Sequence, residues 1–206
     1  GMSPFLMNLA ACFIVIIINQ GLKKYGGDLA IGAFGIVNRL VFIVVMIVMG
    51  LNQGMQPIAG YNFGAKLYGR VNKVLKLTII YATAVTTFGF LVGMLVPDLV
   101  VGIFTSDAEL TELSVTGLRI TVMFFPIIGF QMVTSNFFQS IGMAGKAIFL
   151  SLTRQMLILL PCLLILPQFF GVAGVWYSMP VSDLLASLIA LVMLVCQFRK
   201  FRTSPL

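Results

Sequence analysis

Apolar residues run in blocks long enough to cross a hydrocarbon layer of roughly 30 Å, with short polar clusters between them. Read by length, the pattern predicts six helices, at approximately 4–22, 29–54, 70–96, 110–142, 147–167 and 175–198. The expected fold is an all-α integral membrane protein, one bundle of six transmembrane helices over residues 1–206. Lys23-Lys24-Tyr25-Gly26-Gly27-Asp28 closes the first block, the segment Pro57 to Gly64 the second, and Pro97-Asp98 the third. The fourth is too long for one straight span, so it tilts, bends at Pro126 or projects beyond the membrane. Before it, Ser106-Asp107-Ala108-Glu109 fits a capping box, in which Ser106 and Glu109 satisfy open N–H groups at a helix start.

Composition turns long apolar helices into a membrane protein. The chain is 60% hydrophobic and only 9% charged, with a mean hydropathy of +1.08, well away from soluble usage. No basic start and cleavage pattern precedes the first block, so that block is expected to be a permanent span. The opening Gly-Met-Ser-Pro lacks an initiator methionine and favours a piece of a longer chain. The net charge of +7 is spread over the loops without a basic face or aromatic-basic module, which argues against nucleic acid.

If the blocks cross in turn, Lys66, Arg70, Lys73, Lys76, Lys146, Arg154, Arg199, Lys200 and Arg202 fall on one side. Lys23 and Lys24 share the other with Asp28, Asp98, Asp107, Glu109 and Glu112. The positive-inside rule makes the first side cytoplasmic, with both ends there. Cys12, Cys162 and Cys196 sit in apolar segments without CxxC spacing or any histidine, and read as core thiols rather than metal or redox groups.

Polar side chains in hydrocarbon are costly and mark functional candidates; the competing reading is interhelical hydrogen-bond glue. Amides dominate, among them Asn38, Gln131, Asn136 and Gln139. Arg39, about ten residues into its helix, is expected to face a cavity or another helix, and Arg119 to reach outward near Glu112. Asp183 is the only acid inside a span. With Pro180 bending the helix, Trp176, Ser178, Ser182 and Asp183 could form a polar pocket. Asp183 would then handle a proton or cation, or order the end of a bent helix. With no histidine, no intramembrane acid pair and no phosphate-loop spacing around Gly145-Lys146, enzymatic chemistry lacks its parts.

The pairs Gly50/Gly54, Gly60/Gly64 and Gly89/Gly93 have GxxxG spacing, which permits close helix approach. The first two bracket Pro57 within GLNQGMQPIAGYNFGAK, Gly50 to Lys66, and predict a close-packed helix end followed by a sharp turn. This stretch resembles the segment between the second and third helices of the carboxy-terminal half of multidrug and toxic compound extrusion (MATE) transporters. Tyr25 to Arg39, Phe137 to Gly142 leading to Ser151–Gln155, and Gly174-Val175-Trp176 leading to Pro180–Asp183 agree in order and spacing.

The resemblance implies one six-helix lobe of a twelve-helix transporter with a central cavity between lobes, exporting drugs or organic cations against sodium ions or protons. Its partners would be membrane lipid, a missing amino-terminal lobe or second half, and the cargo, with no cofactor beyond the coupling Na+ or H+. Its location would be the plasma (inner) membrane. One branch of that family binds the coupling cation with acids in the first and fourth helices of this lobe, and those acids are missing here. Coupling is therefore expected at Asp183 or in the absent lobe. The expected cargo wall is Asn38, Arg39, Gln131, Asn136 and Gln139, backed by Met123, Phe124, Phe125, Phe130 and Met132. Gln56, Pro57, Tyr61 and Asn62 are expected to form a clasp or gate at the cytoplasmic mouth. The rivals are a lipid or polysaccharide flippase of the same superfamily, which needs a more cationic cavity, and a membrane scaffold without transport.

Overall fold

A computed structural model describes the backbone of residues 2–203 and the side chains of residues 5–200; Gly1 and the Arg202 side chain lie outside them. The elements are α1 (Met2–Gly64), α2 (Tyr68–Leu95), α3 (Pro97–Gly102), α4 (Ala108–Val122), α5 (Phe125–Ser140), α6 (Ala144–Leu152), a π-helical stretch Thr153–Leu159, α7 (Leu160–Phe170) and α8 (Val172–Thr203).

α1 is a hairpin of two spans. At Gly27, φ is 67° and ψ −162°, a conformation open essentially to glycine alone. A straight helix would hold Ile14 and Val41 about 40 Å apart, yet both line one cavity, so the arms fold back on each other. The next span is α2, which α3 follows across the turn. α4 and α5 meet at a 56° bend over Met123 and Phe124, with Pro126 in the first turn of α5. α6 through α7 forms one span and α8 the last. By length and apolar composition four of the described helices can cross a membrane, five when the bent α4–α5 pair is taken as one, with α1 counted once although Gly27 divides it.

Several local expectations shift. The helix does not end at Pro57: α1 continues through it to Gly64, and the chain turns over residues 65–67. Proline's missing N–H is tolerable there because Pro57 is exposed, where the opened carbonyl can find other partners. Pro180 likewise leaves α8 continuous. Gly50, Gly54 and Gly64 have open space where a Cβ would stand, so the opening GxxxG pairs are not a packed seam. Gly60 does approach closely, since a Cβ there would stand 2.9 Å from the Ser140 carbonyl oxygen, and Gly89 and Gly93 lie against Val44 and Val122. The cysteines are not core thiols: Cys12 and Cys196 are exposed and Cys162 half-buried. In lipid an apolar side chain gains no more from protein than from acyl chains, so apolar sequence does not predict burial.

The capping box is displaced by one residue. Asp107, not Ser106, is the N-cap of α4, its Oδ1 accepting the Leu110 N–H at 2.9 Å. Asp107→Ala should lower stability by about 1 kcal/mol in reversible unfolding, and Ser106→Ala should leave it unchanged.

Packing falls into two clusters. One, toward the Gly27 end, gathers Ile14, Ile18, Phe34, Val37, Phe125 and Trp176. The other, toward the Gly64 end, gathers Met55, Ala59, Leu75, Phe137, Phe138 and Leu150. Between and beside them lies the polar part of the bundle.

Candidate functional site

The main cavity, about 310 Å³, is walled by both arms of α1, by α4, α5, the π-helical stretch and α8. Its lining is mostly apolar: Ile14, Phe34, Val37, Phe125, Met132 and Met179. Its polar groups are Asn38, Thr121, Arg154, Gln155, Ser182 and Asp183. A second pocket of about 170 Å³ shares Met132 and Arg154 with the first and adds Gln131, Ser135, Asn136 and Gln139. Arg154 thus stands where an apolar chamber meets an amide-lined one.

Its partner is Asp183. Arg154 Nε donates to Asp183 Oδ1 at 2.7 Å, and Nη2 lies 2.6 Å from the same oxygen. The Asp183 side chain is 5% exposed and the Arg154 side chain 32%. A lone buried charge is costly, whereas a paired and hydrogen-bonded one is tolerated. The pair therefore lets both groups sit within the bundle, with Arg154 still presenting part of its surface to the cavity. Arg154, which falls in the apolar block 147–167 as well as in the basic set of one side, lies inside the bundle beside the cavity.

The backbone under Arg154 is unusual. Residues 153–159 are π-helical, a widened turn often found at functional positions. Pro161 has no N–H to offer the Leu157 carbonyl, which favours a change of hydrogen-bond register just before it. A hydroxyl and an amide oxygen in this stretch, Thr153 Oγ1 and Gln155 Oε1, are buried without a hydrogen-bond partner. On α8, Ser178 and Ser182 instead donate to the Gly174 and Met179 carbonyls of their own helix, at 2.8 Å each. Trp176 is buried against Phe34, ring centroids 6.0 Å apart, so the expected pocket on α8 shrinks to Ser182 and Asp183.

The other predicted residues divide clearly. Asn38 lines the main cavity, while Arg39, one position on, is exposed and lines neither chamber. Gln131, Asn136 and Gln139 line the smaller pocket together, apart from Asn38, and Asn136 Nδ2 also donates to Met132 O of its own helix at 3.1 Å. Of the expected apolar wall, Phe125 and Met132 reach the main cavity; Met123, Phe124 and Phe130 do not. Gln56, Pro57 and Tyr61 are exposed, and Asn62 is buried. Asn62 Nδ2 donates to Ile58 O at 2.8 Å, and its backbone carbonyl accepts the Leu67 N–H at 2.9 Å, closing the turn after α1.

The sequence marks both Asp183 and Arg154 as charges in apolar blocks but does not pair them across 29 positions. The signal is present all the same: a lone acid and an arginine, both in apolar blocks, are each better off paired.

Comparison with known proteins places this architecture. The chain is 29% identical to the multidrug export protein MepA of Staphylococcus aureus (strain MSSA476) over 191 residues, 93% of this chain and 42% of that one. It is 25% identical to MepA of Staphylococcus saprophyticus over the same length. Among solved structures, a ligand complex of the MATE multidrug transporter DinF-BH superimposes with a TM-score of 0.86 at 36% identity, over 99% of this chain and 46% of that one. An outward-facing MATE transporter at 19% identity shares the fold, with a TM-score of 0.91. The chain thus spans about half the length of the proteins it matches. The MatE family model matches residues 4–165, most of a multi-pass helical bundle that superimposes on half of such a transporter, and the chain belongs to the MATE family of transporters.

Proposed function

We propose that this chain forms one lobe of a multidrug exporter, moving amphipathic organic cations outward in exchange for sodium ions or protons by rocking against a second six-helix lobe. The observation that carries the reading is the mostly apolar cavity with a few convergent polar groups, a form that suits drug-sized ligands. A relative 36% identical to this chain, itself a multidrug transporter, is solved with a ligand bound, which supports a small-molecule cargo. The basic end of the bundle faces the cytoplasm of a plasma membrane in this reading.

Asp183 is the proposed coupling residue, and Arg154 is its resident counter-charge. Asp183 Oδ1 becomes open to a sodium ion or proton as the guanidinium withdraws, so the pair links ion entry to a local rearrangement. Asn38, Gln131, Asn136 and Gln139 supply weak polar contacts to cargo, and the turn closed by Asn62, together with Gly60 against Ser140, is the proposed clasp. Of the arginines a flippase would need for lipid phosphate, Arg39 and Arg119 are exposed and outside the cavity, and Arg154 is neutralised. That charge balance favours cationic drugs over anionic lipid as cargo. The test is gradient-driven flux of a lipophilic cationic dye by the complete protein, with Asn38→Trp filling the cavity.

A further inference from the structure

A separate cleft of about 330 Å³ opens between α2 and α8 at the Gly64 end of the bundle, lined by Asn72, Lys76, Val195, Phe198 and Arg199. It lies away from the cavity of the ion pair and shares no residue with it. Two cations from different helices face one space. Asn72 lines it too, and its buried Oδ1 has no hydrogen-bond partner, so no bond at that oxygen pins the amide, and its N–H groups can turn toward an anion. Lys73 and Lys200 stand nearby in sequence on the same two helix ends. Among the described residues no acid shares those ends: Asp28, Asp98, Asp107, Glu109 and Glu112 lie at the opposite end, and Asp183 within the bundle. The described part of the rim is therefore basic.

The cleft continues into an apolar face. One turn deeper along α2 from Lys76 is Ile80, 61% exposed, and one turn deeper along α8 from Val195 are Leu191 and Val192, 48% and 62% exposed. Cations at the membrane boundary with bare hydrocarbon-facing residues directly above them match a phosphate headgroup and its acyl chains. Basic pockets between transmembrane helices bind anionic headgroups in this way. We infer that the α2–α8 cleft is a binding site for an anionic phospholipid, its phosphate held by Lys76, Arg199 and Asn72 and its acyl chains laid along Val195, Phe198 and the apolar face above. Bound there, the lipid would tie together the ends of two helices that are far apart in sequence.

The test is native mass spectrometry of the detergent-purified full-length protein titrated with phosphatidylglycerol, phosphatidylcholine or inorganic phosphate. The unaltered protein should bind phosphatidylglycerol roughly tenfold or more tightly than phosphatidylcholine. K76Q/R199Q should erase that preference, whereas K76R/R199K, which keeps both charges, and K23Q/K24Q, at the opposite end, should retain it. Equal binding of the two lipids by the unaltered protein overturns the inference. So does an undiminished preference in K76Q/R199Q, and displacement of phosphatidylglycerol by an equal concentration of inorganic phosphate assigns the cleft to free phosphate instead.

Discussion

Arg154→Leu should lower stability by about 3–5 kcal/mol, because it strands the Asp183 carboxylate in a site from which water is largely excluded. Both of the close guanidinium contacts fall on Asp183 Oδ1, so one substitution removes its ion-pair partner entirely. Asp183→Asn should cost less. The arginine left behind is 32% exposed and can turn into the cavity, where water solvates it. R154L/D183L, which removes both charges and fills the space with apolar atoms, should recover most of the loss. A double-mutant cycle in reversible unfolding, such as steric trapping in bicelles, should give a coupling energy of about 2 kcal/mol or more. Additive losses would mean that the two groups are stabilised separately and that the pair is not the organising contact of the cavity.

The second large effect is steric. A Cβ on Gly174 would stand 2.4 Å from the Leu166 carbonyl carbon and oxygen and 2.5 Å from the Pro167 nitrogen. These are backbone atoms of α7, so no rotamer change relieves the clash, and the α7–α8 hairpin must open. Gly174→Ala is therefore expected to destabilise by about 3 kcal/mol, the upper part of the usual overpacking range. Gly50→Ala meets nothing within 4 Å and replaces a helical glycine, so it should be neutral or stabilising by roughly 0.5–1 kcal/mol. Comparing both variants by the same unfolding assay separates close packing from glycine content. Equal effects would show that the α7–α8 contact is looser than these distances.

The all-helical, membrane-type pattern is legible because the bilayer imposes a length on apolar helices, and the bend near Pro126 because proline cannot continue a helical hydrogen-bond ladder. The spacing of Gly50, Gly54, Gly60 and Gly64 misleads, because GxxxG says which residues permit close approach but not which face meets a neighbour. Pro57 reads as a helix end, although nothing in the sequence says whether an exposed turn can absorb one lost hydrogen bond. Ser106 loses the cap to Asp107 by one residue, a margin that local propensity does not resolve when both side chains cap well. Asp183 stands out as a charge in hydrocarbon. Its pairing with Arg154 is a tertiary fact carried by the packing of α8 on the π-helical stretch, and the sequence offers Arg39, Arg119 and Arg154 alike as partners. Arg39 and Asn38 illustrate the same limit: adjacent residues point about 100° apart on a helix, and only packing decides which one the cavity receives.

The most direct measurement is dye flux in proteoliposomes containing the complete protein under an imposed inward sodium or proton gradient. The account predicts uphill movement of a lipophilic cationic dye that collapses with the gradient, and its loss in Asn38→Trp although that variant unfolds at the same temperature as the parent. Absence of gradient-driven flux in the folded parent, or full flux with the cavity filled, would contradict it.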